Sequence, residues 1–294
     1  MANAEIDAIV EQLRANPLGG TLEEMRAQFD DMGAEVAVDI EIEAVTANGV
    51  PCELHMPPGA DTDRVIMYVH GGGYVIGSLK SHRATVAELA RAADCRALAV
   101  DYRLAPENPY PAAVEDSIAA YNWLRSSGYE ANKIVIAGDS AGGGLTAGTL
   151  VGLRDAGLPL PAAGVCISPW VDLEATGESY ESRKNIDPMV TRELIAPMGN
   201  AYVGEGGDLK ATTACPIHAD LTGLPPLLIQ VGSAEVLYSD AETLAKNAEA
   251  AGVEATLEEW PDMVHVWHLF HQDLEDGRKA IARIGEFVKE KTGA

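Results

Sequence analysis

Ile134-Val135-Ile136-Ala137 runs without a break into Gly138-Asp139-Ser140-Ala141-Gly142, and the small-residue stretch that follows reads as a helix. Strand, tight turn and helix in this order form the arrangement in which a serine becomes a nucleophile. On so sharp a turn the backbone is strained and the side chain stands clear of the sheet. Gly138, Ala141, Gly142 and Gly143 have to be small, because bulk there would meet the adjacent strand or helix. The helix aims its free N–H groups and the positive end of its dipole at the point where an oxyanion would form. A G-x-S-x-G pentapeptide arises often by chance, so the rest of the chain has to carry the reading.

Working outward, further short apolar runs occur at 65–69, 97–100, 165–167 and 227–231, separated by stretches with helical spacing. Fully apolar strands alternating with helices predict a mostly parallel sheet covered on both faces, an α/β fold. Upstream, Val36, Val38, Ile40 and Ile42 alternate with polar or small residues, Asn48-Gly49 signals a turn, and Val50, Cys52, Leu54 and Met56 alternate again, which predicts an antiparallel hairpin. Before it, Ile6, Ile9, Val10 and Leu13 repeat at helical spacing. A second helix is expected from Thr21, with Glu24 completing a capping box. Two short helices ahead of any strand read as a lid segment, and the break in rhythm between Ser168 and Pro225, with a helix at 191–202, reads as its second half. The final helix is expected from about Leu274 to Val288, with His268 and His271 at its start.

The 294 residues are 47% apolar and 22% charged, an ordinary composition for one large α/β domain. Forty-five acidic against 21 basic residues leave a formal charge of −24, which repels nucleic acid and anionic membrane. The first residues lack the basic start and apolar core of a secretory signal, and no window has the length of a membrane span, so a cytoplasmic protein is expected. Cys52, Cys95, Cys166 and Cys215 are widely spread with no C-x-x-C pair, as buried free thiols would be.

His70-Gly71-Gly72-Gly73-Tyr74 directly follows the strand at 65–69. Consecutive glycines let backbone N–H groups turn outward and let a carbonyl approach them, as an oxyanion hole requires. A phosphate-binding loop would need a Lys-Ser/Thr ending that is absent. The base for Ser140 should lie far along the chain, in the order Ser, acid, His. Of seven histidines, His265 stands on the loop after the last strand, where it can reach over Ser140. The series His265, His268 and His271 lacks a carboxylate at a recognised metal-ligand spacing, so no metal is expected. By position Glu235 and Asp240 both qualify as the acid, and Asp262 is less suited because a loop residue three positions before the histidine seldom reaches its far nitrogen.

Taken together, His70–Tyr74, Gly138–Gly143 and Asp101-Tyr102-Arg103-Leu104-Ala105-Pro106-Glu107 resemble the bacterial hormone-sensitive-lipase-like family of α/β-hydrolase carboxylesterases, from about Val65 to the C-terminus. The resemblance implies an α/β-hydrolase fold with a helical cap. It implies Ser140 as nucleophile, His265 as base, and the amides of Gly72, Gly73 and Ala141 as oxyanion hole, with Asp101–Glu107 bracing the glycine loop. The family's acid is an aspartate in Asp-x-Leu; here the matching stretch is Glu235-Val236-Leu237, which points to Glu235. The expected division is residues 1–45 as N-terminal cap helices and start of the first strand, 46–175 as core with oxyanion loop and elbow, 176–222 as second cap segment, and 223–294 as core with acid and histidine.

The resemblance implies hydrolysis of short-chain acyl esters through an acyl-enzyme, with no cofactor and a small-molecule ester as partner. Homodimerisation is a further expectation, since related esterases pair through the last strand and helix. Amide, formamide or lactone hydrolysis by the same residues is the alternative. A non-catalytic small-molecule receptor on this fold is the remote one, set against the presence of His265.

Overall fold

The computed structural model describes residues 4–294. Helices α1 (Ala4–Ala15) and α2 (Leu22–Asp31) come first. At the start of α2 the Thr21 hydroxyl accepts the Glu24 N–H at 3.2 Å while the Glu24 carboxylate accepts the Thr21 N–H at 2.7 Å, so two otherwise orphaned donors are satisfied. Strands β1 (Glu41–Ala47) and β2 (Val50–Met56) form the hairpin. The expected pairing of residues 36–40 does not occur. Glu41 already faces Met56, the last residue of β2, and Pro57 follows, so the ladder has no partner strand left; Val38 lies fully in solvent.

Then come β3 (Asp61–Val69), α3 (Leu79–Ala92), β4 (Cys95–Val100), α4 (Ala112–Ser126), β5 (Ile134–Asp139), α5 (Ala141–Asp155) and β6 (Ala163–Ile167). After the short α6 (Ser179–Ser182) and α7 (Arg192–Val203), the chain continues through β7 (Leu227–Gly232), α8 (Tyr238–Ala250), β8 (Ala255–Trp260) and α9 (Glu275–Thr292). The strand order is β1-β2-β4-β3-β5-β6-β7-β8, antiparallel on both sides of β2 and parallel from β4 to β8.

The period of the strands sorts their apolar residues to two faces. Val65, Met67, Val69, Ile134 and Ile136 pack toward α4, α5 and α8. Ile66, Tyr68, Val135 and Ala137 pack toward α3 and α9, where Leu89, Ile284 and Phe287 meet them. Each fully buried Val, Leu or Ile contributes about 1.5–3 kcal/mol relative to exposure, so the central strands anchor the molecule. The helix α9 runs one turn beyond Val288, ended by Gly293 in the left-handed region, and Leu274 is its cap and not its first turn. His268 and His271 do not begin it. His268 sits in a separate 3-10 turn, Trp267–Phe270, and His271 follows it, because Trp267 and Leu274 bury in different directions from the α9 stripe.

Parallel order brings the carboxyl ends of β3, β5, β6, β7 and β8 to one edge of the sheet, where open α/β sheets bind their ligands. The helices α1, α2 and α7 lie over this edge and roof a cavity of about 600 Å³.

Candidate active site

Ser140 leaves β5 with φ 54° and ψ −121°, a conformation that a residue with a side chain rarely adopts. Its N–H donates to Ile167 O at 2.8 Å and its C=O accepts from Gly144 and Trp170, so the strained turn is held from both sides. A side chain at Gly142 would strike the carbonyl of Val69, and one at Gly138 would strike the carbonyl of Gly142. The turn therefore closes only with glycine at both positions. Ser140 opens into the cavity together with His265, Gly72, Gly73 and Asp139.

The glycine loop hangs from the residue before the serine. Asp139 is buried; its Oδ1 accepts the Gly71 N–H at 3.0 Å and the Tyr68 hydroxyl at 2.7 Å, and its Oδ2 lies 3.2 Å from His82 Nε2. Burial alone would raise the carboxyl's pKa, but His82 and the Tyr68 hydroxyl outweigh it and hold Asp139 at about 2. His70 sits below, its pKa lowered to about 3 by burial and by His82, and the Tyr102 hydroxyl donates to its carbonyl. The Ala105 N–H donates to Tyr74 O, so the 101–107 segment does touch the loop it was expected to brace. Gly72 and Gly73 take φ 115° and 60°. Among the described residues neither N–H has a backbone acceptor, and both glycines line the cavity beside Ser140, as donors to an oxyanion would.

On the opposite side, Glu235 follows β7 and is fully buried. Its Oε2 is 2.7 Å from His265 Nδ1, while Oε1 accepts the Gly232 N–H at 2.6 Å and the Ser168 hydroxyl at 2.8 Å. The longer glutamate arm is thus folded back onto its own strand end, with one oxygen pinned and the other facing the imidazole. Donation from Nδ1–H to Glu235 leaves Nε2 as the acceptor on the cavity side. Burial opposes protonation of His265, yet the bond and charge of Glu235, helped by Asp187 and Asp139, leave its pKa raised above the usual value.

Ser168 was not singled out by the sequence. It has φ 43°, is buried, and accepts the Val266 N–H at 3.2 Å while donating to Glu235. Val266 is itself left-handed, φ 48° and ψ 46°, an unfavourable state for a β-branched residue. One hydroxyl therefore ties the acid to the strained residue beside the histidine. The only sequence signal was the break of the apolar rhythm at Ser168-Pro169-Trp170. The carboxylate of Asp187, also missed, accepts three backbone N–H groups, those of Met189 and Val190 on its own turn and that of Val236 beside Glu235.

The other candidates point elsewhere. Asp240 lies in the first turn of α8, but its Oδ2 accepts the N–H groups of Val171 and Asp172 and it has no contact with His265. Burial pushes its carboxyl up to about 8, against the pull of those two donors. Asp262 has φ 64° and its N–H donates to Ser233 Oγ, which makes it a turn residue. His268 bonds Gln230 through Nε2, deep beneath the sheet edge. All four cysteines are free and buried, their thiols pushed up to about 12 mainly by burial.

Residues 66–269 match a family of alpha/beta hydrolase fold. An acetyl-hydrolase of Streptomyces hygroscopicus is 43% identical over 100% of this chain and 99% of its own length. A solved esterase of the bacterial hormone-sensitive lipase family superposes with a TM-score of 0.97 at 48% identity, covering 100% of both chains. EstE5, in crystals soaked with p-nitrophenyl butyrate, superposes with a TM-score of 0.97 at 45% identity, again over 100% of both chains.

Proposed function

This chain belongs to the α/β-hydrolase fold family, in its bacterial hormone-sensitive-lipase-like branch, and is a carboxylic ester hydrolase; we propose that it cleaves short-chain acyl esters through an acyl-enzyme on Ser140. The observation that carries the residue roles is the buried 2.7 Å contact of His265 Nδ1 with Glu235 Oε2, on a histidine that shares its cavity with Ser140. His265 Nε2 takes the hydroxyl proton as Oγ attacks the ester carbonyl, and Glu235 stabilises the imidazolium. The oxyanion rests on the N–H groups of Gly72, Gly73 and Ala141. Collapse breaks the C–O bond, His265 returns its proton to the leaving alcohol, and water, deprotonated by the same nitrogen, releases the acid.

The acyl group would lie in the roofed cavity of about 600 Å³, lined there by Trp170, Met198 and Leu237. The structure matched above was soaked with a butyryl ester, which fits the same size class. Residues 1–45 and 176–222 are assigned as cap and 46–175 and 223–294 as core. We further assign a cytoplasmic home, in keeping with four buried free thiols, and a homodimer that would use the unpaired edge of β8. Among the described residues no helix is long and apolar enough to cross a membrane.

The test is hydrolysis of p-nitrophenyl esters from acetate to palmitate, beside the matching anilides, by wild type, Ser140→Ala and Glu235→Gln. Expected are a maximum at two to four acyl carbons, anilides left intact, no turnover by Ser140→Ala, and a fall of about 10³–10⁴ in kcat for Glu235→Gln. Turnover retained in Ser140→Ala would sink the mechanism.

A further inference from the structure

The mechanism leaves one buried carboxylate unused beside the acid loop. Asp187 comes from the segment between α6 and α7, not from the sheet, and is only 6% exposed. Its Oδ1 accepts the N–H groups of Met189 and Val190 at 2.8 and 2.9 Å, closing a turn whose residues Pro188, Met189 and Val190 line the cavity. Its Oδ2 accepts the N–H of Val236 at 2.9 Å, the residue directly after Glu235.

We propose that Asp187 is a positioning residue for ester hydrolysis, a cap carboxylate that locks the Glu235 loop and places a second negative charge behind the His265 imidazolium. This rests on the Ser140, His265 and Glu235 reading above. Three N–H donors converge on the group, an arrangement that favours the ionised form. Burial is the largest influence and leaves its pKa above the usual aspartate value, against the pull of the positive form of His265 and of those three donors.

The surrounding charges leave the field of Asp187 directed at the histidine. Of the core groups the charge of His265 acts on Asp187, while Glu235, one residue before its Val236 donor, contacts His265 Nδ1, and Asp139 also acts on His265. Arg183, on its own turn, takes the Asp187 N–H on its carbonyl while its guanidinium lies 3.5 Å over the Tyr238 ring. Arg14 on α1 donates to the carbonyls of Asn185 and Ile186, and Asp262 borders a small cavity beside Ile186. Neither arginine pairs with the Asp187 carboxylate.

Asp187→Asn keeps the shape and can still accept from Met189 and Val190, but it turns an amide donor toward the Val236 N–H and removes the charge. With p-nitrophenyl acetate, kcat should fall about 10- to 100-fold while KM changes less than about threefold. The acidic limb of the kcat/KM profile should move to lower pH by roughly half a unit or more, because the imidazolium loses a stabilising neighbour. A fall in kcat with the limb unmoved, or unchanged kcat, overturns the proposal. Asp187→Ala gives a second arm, with formate expected to restore part of kcat and neutral formamide to restore none. Equal rescue by both, or failure of both variants to reach the wild-type far-UV spectrum, assigns Asp187 a merely structural role. Turnover by Ser140→Ala, measured beside them, would instead strike the underlying mechanism.

Discussion

On one side of Ser140 the loop Gly71–Gly73 hangs from Asp139, which is gripped by Tyr68 and His82, all residues of the core sheet and its first covering helix. On the other side Glu235 and His265 are held by Ser168 at the end of β6 and by Asp187 from the cap. The helices over the cavity touch the first side as well, with Phe29 of α2 tilted on His82 at 5.7 Å between centroids, Arg26 donating to the carbonyls of Val75 and Ala105, and Met198 of α7 against Gly73, but the Asp139 carboxylate that anchors the loop takes its hydrogen bonds from core residues alone. Oxyanion donors are needed at fixed positions whatever the substrate, and a rigid core provides that. Glu235 and His265 are instead joined through Asp187 to a turn whose residues Pro188, Met189 and Val190 line the cavity.

The contrast can be broken by cutting each support in turn. The largest effect should come from Asp139→Asn, which loses the charge that holds His82 and weakens the Gly71 anchor. A fall in kcat of about 10²–10³ is expected, comparable to losing an oxyanion donor, with KM little changed. If kcat drops less than fivefold, the core does not preorganise the loop in this way.

Ser168→Ala comes next. It frees Glu235 Oε1 from one of its two donors and leaves the Val266 N–H without its acceptor, beside a strained backbone that costs about 1–3 kcal/mol to maintain. We expect about a tenfold loss in kcat and a lowered Tm. A variant with normal kcat and lowered Tm would make Ser168 a fold residue only.

The smallest catalytic effect belongs to Asp240→Asn, because Asp240 touches neither His265 nor Ser140. Its effect is on stability. Asp240 is raised from the usual aspartate value to about 8, so the folded protein holds a proton that the unfolded chain releases. Stability linked to this group is full below the unfolded pKa and is lost as pH rises through about 8. Asparagine keeps an acceptor for Val171 and Asp172 without the ionisation. Its Tm advantage over wild type should therefore widen between pH 5 and pH 9, by an amount worth on the order of a few kcal/mol. A pH-independent difference would show that Asp240 ionises normally in the fold.

The two sides also differed in what could be read from residues alone. Gly138-x-Ser140-x-Gly142 and His70–Gly73 are local: a turn that excludes side chains selects glycine within a few positions of itself, so the pattern is written contiguously. Apolar runs at 65–69, 134–137 and 227–231 likewise announce buried parallel strands, and the family comparison and topology agree with that α/β reading. Where local pattern had no partner to act on, it misled. Residues 36–40 alternate like a strand but outrun β2, and His268 and His271 follow helical spacing yet belong to a separate turn.

For the acid side, the chain offered Glu235, Asp240 and Asp262 as carboxylates near His265 in sequence, and residue type could not rank them without the resemblance. Ser168 gave only the break of rhythm at the end of its strand and Asp187 gave no signal, since one serine and one aspartate look like any others until β6, β7 and the 183–190 turn bring them to the same few ångströms. The sequence by itself determined the parallel sheet, the sharp strand-to-helix turn at Ser140 and the glycine loop, because burial period and steric exclusion act between near neighbours. Tertiary structure alone decided which carboxylate faces His265 and what holds it there, because hydrogen bonds across 67 and 49 residues of chain exist only after the sheet has placed its ends together.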